Sequence, residues 1–126
     1  MEVRDAVEAD AGRLAALTDA PTDVMRNLVH DRTVRVAEDG EIVGFVSFDA
    51  QRETVHVTQF DGTTAAATRL LEEPARFART EGMAAELLVE EGRDELKRAA
   101  SEAGFDEVGP GPRFDGTATV KFRLDP

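Results

Sequence analysis

The chain has 126 residues, 26 of them acidic and 15 basic, with a net charge of −11 and no cysteine. That length suits one domain spanning residues 1–126, and area scaling puts roughly two-thirds of the unfolded surface out of water on folding. Disulfides, thiolate metal sites and a cysteine nucleophile are excluded; two histidines, His30 and His56, are too few for a His-rich zinc site; and the negative surface argues against nucleic acid or anionic membrane as a partner.

The chain opens on a short extended segment, Glu2 to Val7, with Val3 and Val7 on one face. Asp10 is placed to cap a short helix carrying Leu14 and Leu17. Ala20-Pro21-Thr22 breaks the chain, and Thr22 is placed to cap a second helix. There Val24, Met25, Leu28 and Val29 recur at helical spacing and leave His30 outside. Thr33 to Ala37 alternates, and Asp39-Gly40 follows, a strong hairpin signal because Gly accepts positive φ without steric cost. Ile42 to Phe48 is the return strand, Asp49 to Glu53 a turn, and Thr54 to Phe60 a third strand.

A long helix then starts at Thr63 or Thr64 and runs to Gly82. Ala67, Leu70, Leu71, Phe77 and Ala78 keep one face apolar across Pro74, where a kink is expected from the lost bond to the Leu70 carbonyl. Ala84 to Val89 is nearly continuously apolar and reads as a strand buried on both faces. Arg93 to Ala103 forms the last helix, with Gly104 as its stop. Phe105 to Val108 begins a strand, Gly109-Pro110-Gly111-Pro112 is a loop, and Thr117 to Asp125 alternates as the final strand. The order is β-α-α-β-β-β-α-β-α-β-β: an α/β (α+β) chain with a mixed twisted sheet of about seven strands and helices on both faces.

This order, with the segments EVRDAVEADAGRLAAL, VAEDGEIVGFVSF, TRLLEEPARFARTEGMAAELLVE and ELKRAASEAGFDEV, resembles the GNAT superfamily of N-acetyltransferases along essentially the whole chain. The resemblance implies transfer of an acetyl group from acetyl-CoA, as co-substrate, to an amine of a small molecule or protein. The family seats the CoA pyrophosphate on Gln/Arg-x-x-Gly-x-Gly/Ala before its main helix. Anchored on Leu70-Leu71, the equivalent stretch is Gly62-Thr63-Thr64-Ala65-Ala66-Ala67. Gly62 replaces the Gln/Arg and Ala65 the middle glycine, while Ala67 fits. Free N–H groups and the helix dipole favour an anion at such a site, but Asp61 or Thr63 capping a helix start explains the same residues. The pantetheine arm would run past the backbone of Gln59 and Phe60.

Many family members carry a tyrosine four residues before the Gly-Phe pair to protonate the departing thiolate. Here Ala100 stands at that place and the chain has no tyrosine; an asparagine often seen earlier corresponds to Arg93. Candidate bases are His56, mid-strand on a face read as shared with Thr58 and Phe60, and Glu86, which interrupts the apolar strand. Imidazole titrates near neutral pH and suits base work. A histidine satisfied within the sheet and a carboxylate paired to an arginine are the bland alternatives. A GNAT-fold protein that has lost catalysis and serves as an acyl-CoA-binding or protein-interaction module stays open beside the enzyme. Thirteen of the 15 basic residues are Arg and only Lys97 and Lys121 are Lys, an acidic, lysine-poor pattern resembling proteins of salt-accumulating cytoplasm. A cytoplasmic location is expected, no metal is expected, and the final alternating strand offers pairing across a homodimer.

Overall fold

Tight turns set the antiparallel half of the sheet. In the computed structural model, which describes Met1 to Pro126, Gly40 takes φ +79° between β2 (Thr33–Glu38) and β3 (Ile42–Gln51). Arg52 takes φ +58° between β3 and β4 (Thr54–Gly62), so the second turn is shorter than Asp49 to Glu53 and both strands run into it. β1 (Glu2–Asp5) pairs antiparallel with β2. It stops before Val7, which is half exposed, because Asp10 turns back to accept the Val7 N–H and two hydrogen bonds from Arg4. Asp10 therefore ties β1 down instead of capping α1 (Ala11–Thr18). Thr22 opens α2 (Thr22–Asp31) as its first helical residue, with Pro21 in the cap position.

α3 (Thr64–Glu81) crosses from β4 to β5 (Ala84–Glu90), which makes β4–β5 the parallel pair of the sheet. Thr63 caps α3, its hydroxyl accepting the Ala66 N–H at 3.1 Å, and Gly82 ends it at φ +67°. Pro74 is buried within one uninterrupted helix. After α4 (Asp94–Glu102) the chain forms β6 (Asp106–Pro110), which takes in Gly109 and Pro110, and β7 (Thr119–Leu124). The sheet order is β1-β2-β3-β4-β5-β7-β6. The accessible surface is 6814 Å², close to the roughly 6,600 Å² that size scaling gives.

The two sheet faces carry separate cores. α3 and α4 cover one with Ala66, Ala67, Leu70, Leu71, Ala75, Ala78, Leu96, Ala99 and Ala100 against Val46, Val55, Leu87 and Phe122. The alanines on α3 allow a close approach to the sheet. At Gly44 a Cβ would come within 3.1 Å of Ala66 Cβ and 2.9 Å of the Asp61 carbonyl oxygen. Phe77 sits at the rim of this core, 41% exposed, its ring tilted 56° against Phe48. α1 and α2 form the other core with Leu14 and Met25 on Val34, Val36, Ile42 and Phe45. Val24 lies outside it, half exposed. These two short helices lie over β2, β3 and part of β4. β5 is therefore not buried on both faces: Ala85, Leu87 and Val89 are buried, whereas Glu86 and Leu88 are half-buried on the uncovered face.

Candidate active-site cleft

β4 and β5 pair over three residues only, Thr54–Ala84, Val55–Ala85 and His56–Glu86, and then part. The cause lies on the other edge of β4. Ser47 pairs with Gln59 and Phe48 with Val57, so Thr58 is an extra residue bulged out of the β3–β4 ladder. A bulge bends its strand and adds twist, here two residues beyond the last one tied to β5. Buried Ser47 stabilises it: its hydroxyl lies 2.6 Å from that of Thr58, which also donates to the Ser47 carbonyl at 3.2 Å.

The gap is a cleft of about 440 Å³ between Val57–Asp61 and Leu88–Glu90, with Leu96 and Arg93 from the α4 side. Thr18 and Ala20 close it from the end of α1, and Thr119 and Phe114 from the final hairpin. A cleft of this size is in the range that holds an organic ligand. No β5 residue pairs with β4 beyond His56, so the β5-side N–H and C=O groups around Gln59 and Phe60 face the cleft without a strand partner.

Strand and helix meet abruptly at its far end. Gly62 ends β4, Thr63 is the cap, and Thr64 starts α3, so no loop intervenes. The Gly62 N–H donates to its neighbour Asp61 Oδ1 at 2.8 Å, the Thr63 N–H to the Val43 carbonyl at 3.3 Å, and the Ala66 N–H to the Thr63 hydroxyl. The Ala67 N–H donates to the Thr63 carbonyl as the helix begins. Of the stretch Gly62 to Ala67, only the Thr64 and Ala65 N–H groups lack a protein acceptor. Asp61 Oδ1 also receives Arg93 Nη2 at 3.0 Å, and Arg93 Nε donates to Glu95 at 2.7 Å. The Glu95 hydrogen bond first, then Asp61, raise the Arg93 pKa against the opposing effect of burial.

His56 and Glu86 come together, as neighbours across the last β4–β5 pair, in a smaller hollow of about 190 Å³ with Leu88, Pro112 and Lys121. His56 does not share a face with Phe60. The bulge at Thr58 shifts the alternation, and Phe60 packs toward the α3 core. The His56 ring makes no hydrogen bond to protein, so it is not the satisfied sheet histidine. Glu86 pairs with Arg123 and, at 3.3 Å, with Lys121. Burial alone would raise its pKa, but the two cations together hold it below the usual carboxylate range. Ala100 is fully buried on the inner face of α4 and leaves the usual tyrosine position without a hydroxyl. His30 is exposed, within 3.6 Å of Glu8. No three His, Asp or Glu side chains converge as metal ligands.

Phe114 and the Asp61–Arg93 link are the cleft features that sequence reading missed. Phe114 had a usable signal: Asp115 and Gly116 take φ +50° and +79° in a two-residue turn closed by the Phe114–Thr117 bridge, the same Asp-Gly pattern as at Asp39-Gly40. The link joins residues 32 apart in the chain and had no local signal.

No protein-family model matches this sequence, and no curated protein matches it. Solved structures do. A ribosomal-protein-alanine N-acetyltransferase from Brucella melitensis superposes at TM-score 0.79 with 19% identity over 99% of both chains. yncA from Salmonella typhimurium, solved with its cofactor acetyl-CoA, gives 0.77 at 18% identity over 98% of this chain and 92% of the other. Arabidopsis thaliana NAA60 in complex with a bisubstrate analogue gives 0.77 at 15% identity over 98% and 96%. The chain has the fold of the GNAT N-acetyltransferases.

Proposed function

We propose that this chain transfers an acetyl group from acetyl-CoA to an amine of a small molecule or protein. The observation that carries the reading is the parting of β4 from β5 after His56. It leaves an unpaired strand edge at Gln59 and Phe60 along a cleft of about 440 Å³. Such an edge offers an extended amide-bearing arm the hydrogen bonds that a neighbouring strand would otherwise take. The chain's fold is shared with acetyltransferases, one of them solved with acetyl-CoA, which supports the same reading.

With the arm along Gln59 and Phe60, the thioester carbonyl lies toward Val57, where the strands part. The amine enters from the uncovered sheet face, past Phe114. A neutral amine attacks the carbonyl carbon, the C–N bond forms, and the C–S bond breaks to release CoA thiolate. The His56 ring, free of protein hydrogen-bond partners, takes the proton from the attacking nitrogen, with the Glu86 carboxylate beside it in the same hollow. Holding amine and thioester together supplies much of the acceleration. No side chain replaces the tyrosine acid, so water protonates the thiolate. The Thr64 and Ala65 N–H groups face the phosphate end of the donor. No helix is long and apolar enough to cross a membrane, and a cytoplasmic location suits a donor made and used there.

The test is acetyl-CoA binding by calorimetry, followed by thiol release with a panel of amines. The chain has no cysteine, so a thiol reagent reports released CoA without protein background. Saturable binding with amine-dependent thiol release is the expected result. Failure to bind acetyl-CoA would refute the reading.

A further inference from the structure

Arg93 is the only cation on the cleft wall, which otherwise carries the carboxylates Asp61 and Glu90. It stands at the start of α4, just past the end of β5, and its Nη2 reaches Asp61, the penultimate residue of β4. The guanidinium therefore spans the gap between the two parted strands at the end of the cleft farthest from His56. From Val57 to Asp61 the strand advances four residues, about 13 Å at strand rise, a length that an extended pantetheine arm covers. A donor whose thioester sits near Val57 thus brings its diphosphate to Arg93.

Arg93 has five N–H donors in a planar fork. Glu95 takes the one on Nε and Asp61 takes one on Nη2. The remaining three have no protein acceptor, and the side chain is 40% exposed. Asp61 Oδ1 in turn collects the Gly62 N–H and the Arg93 N–H. A backbone amide and a guanidinium converging on one oxygen are the donors that a phosphate oxygen takes. Here a carboxylate of the chain itself sits on them.

We infer that Arg93 holds the diphosphate end of the thioester donor, and that Asp61 competes with that diphosphate for Arg93 and for the Gly62 N–H. This rests on the acetyl-CoA reading above and deepens it. The competition makes the diphosphate a weaker handle than the N–H-rich loop that is absent here. Binding exchanges one anion for another: Asp61 turns away from Arg93 or remains beside the phosphates as a like charge. Donor affinity is thereby set below what Arg93 alone would give, and the acyl-pantetheine part of the donor carries a larger share of recognition.

The experiment compares acetyl-CoA with S-acetylpantetheine, which has the same thioester arm and no phosphates. Both are titrated by calorimetry into the parent chain, Arg93→Gln and Asp61→Asn at one fixed ionic strength. Asparagine keeps an oxygen for the Gly62 N–H while removing the charge. Arg93→Gln is expected to weaken acetyl-CoA by about tenfold or more, the loss of charge-assisted hydrogen bonds, and to leave S-acetylpantetheine within about twofold. Asp61→Asn is expected to tighten acetyl-CoA several-fold without moving S-acetylpantetheine. The shorter donor is the internal control for folding, since a misfolded variant loses both. If both donors bind the parent but Arg93→Gln shifts them equally, or shifts neither, Arg93 is not the diphosphate ligand and the inference falls while the acetyl-transfer reading stands. If Asp61→Asn weakens acetyl-CoA, Asp61 positions Arg93 and does not compete with the donor, which overturns that half. If the parent binds neither donor, both the inference and the reading beneath it fall.

Discussion

Replacing Gly62 with alanine separates two costs that positive-φ glycines usually mix. Gly62 takes φ +134°, and a Cβ there would stand 2.5 Å from the Val43 carbonyl oxygen and 2.6 Å from Gly44 Cα, both backbone atoms. Gly40 in the β2–β3 turn also has positive φ, +79°, but a Cβ there meets nothing within 4 Å. Gly40→Ala therefore carries a conformational cost alone. It comes to about 1 kcal/mol once the lower entropy of the unfolded alanine chain offsets part of the left-handed strain. Gly62→Ala adds a deeper conformational penalty, in a region used almost only by glycine, and forces β3 and β4 apart where they pair at Gly44–Gly62. Overpacking of this kind costs about 1–3 kcal/mol, so the total is about 3–5 kcal/mol. For a domain of this size that corresponds to a Tm lower by about 10–20 °C. Urea and thermal unfolding of both variants at one salt concentration read the difference directly. A Gly62→Ala protein no less stable than Gly40→Ala would refute the close approach of β3 to β4 on which the cleft geometry depends.

Three further outcomes follow from the charges and the site. The Arg4 hydrogen bonds, and then that from the Val7 N–H, hold the Asp10 carboxyl below its ordinary value of 3.8 despite partial burial. A depressed folded pKa stabilises above the unfolded value and is lost as pH falls through the folded one, so Asp10→Asn should be less stable than the parent at pH 7, with a deficit that shrinks below about pH 4; a deficit in urea unfolding equal at pH 7 and pH 2.5 would contradict this. With a net charge of −11, carboxylate repulsion should be relieved as the Debye length falls from about 8 Å at 0.15 M to about 3 Å at 1 M salt; Tm should climb steeply over that range, and a flat or falling Tm removes the high-salt reading of the composition. His56→Ala should cut turnover by about a hundredfold while leaving acetyl-CoA affinity unchanged; unaltered turnover would exclude the ring as base.

The sequence by itself determined the elements and their order, because the forces involved act over a few residues. Asp39-Gly40 turns a hairpin since glycine accepts φ +79°. Thr63 and Gly82 bound the long helix by capping it, and the spacing of Ala67, Leu70, Leu71 and Ala78 selects the face that is buried. Even His56 and Glu86 were legible as polar interruptions of apolar strands. What surrounds them was not. The reading of Ala84 to Val89 as buried on both faces failed because α1 and α2 are too short to cover β5, a matter of packing area and not of periodicity. The placement of Phe60 beside His56 failed because alternation assumes an unbroken ladder, and the Thr58 bulge depends on Ser47 in another strand. The cleft itself exists because that bulge bends β4 away from β5, and the Asp61–Arg93 link exists because the crossover through α3 returns the chain to the same end of the sheet. Strand register and the meeting of charges distant in sequence are set by tertiary packing, on which local turn and capping preferences carry no information.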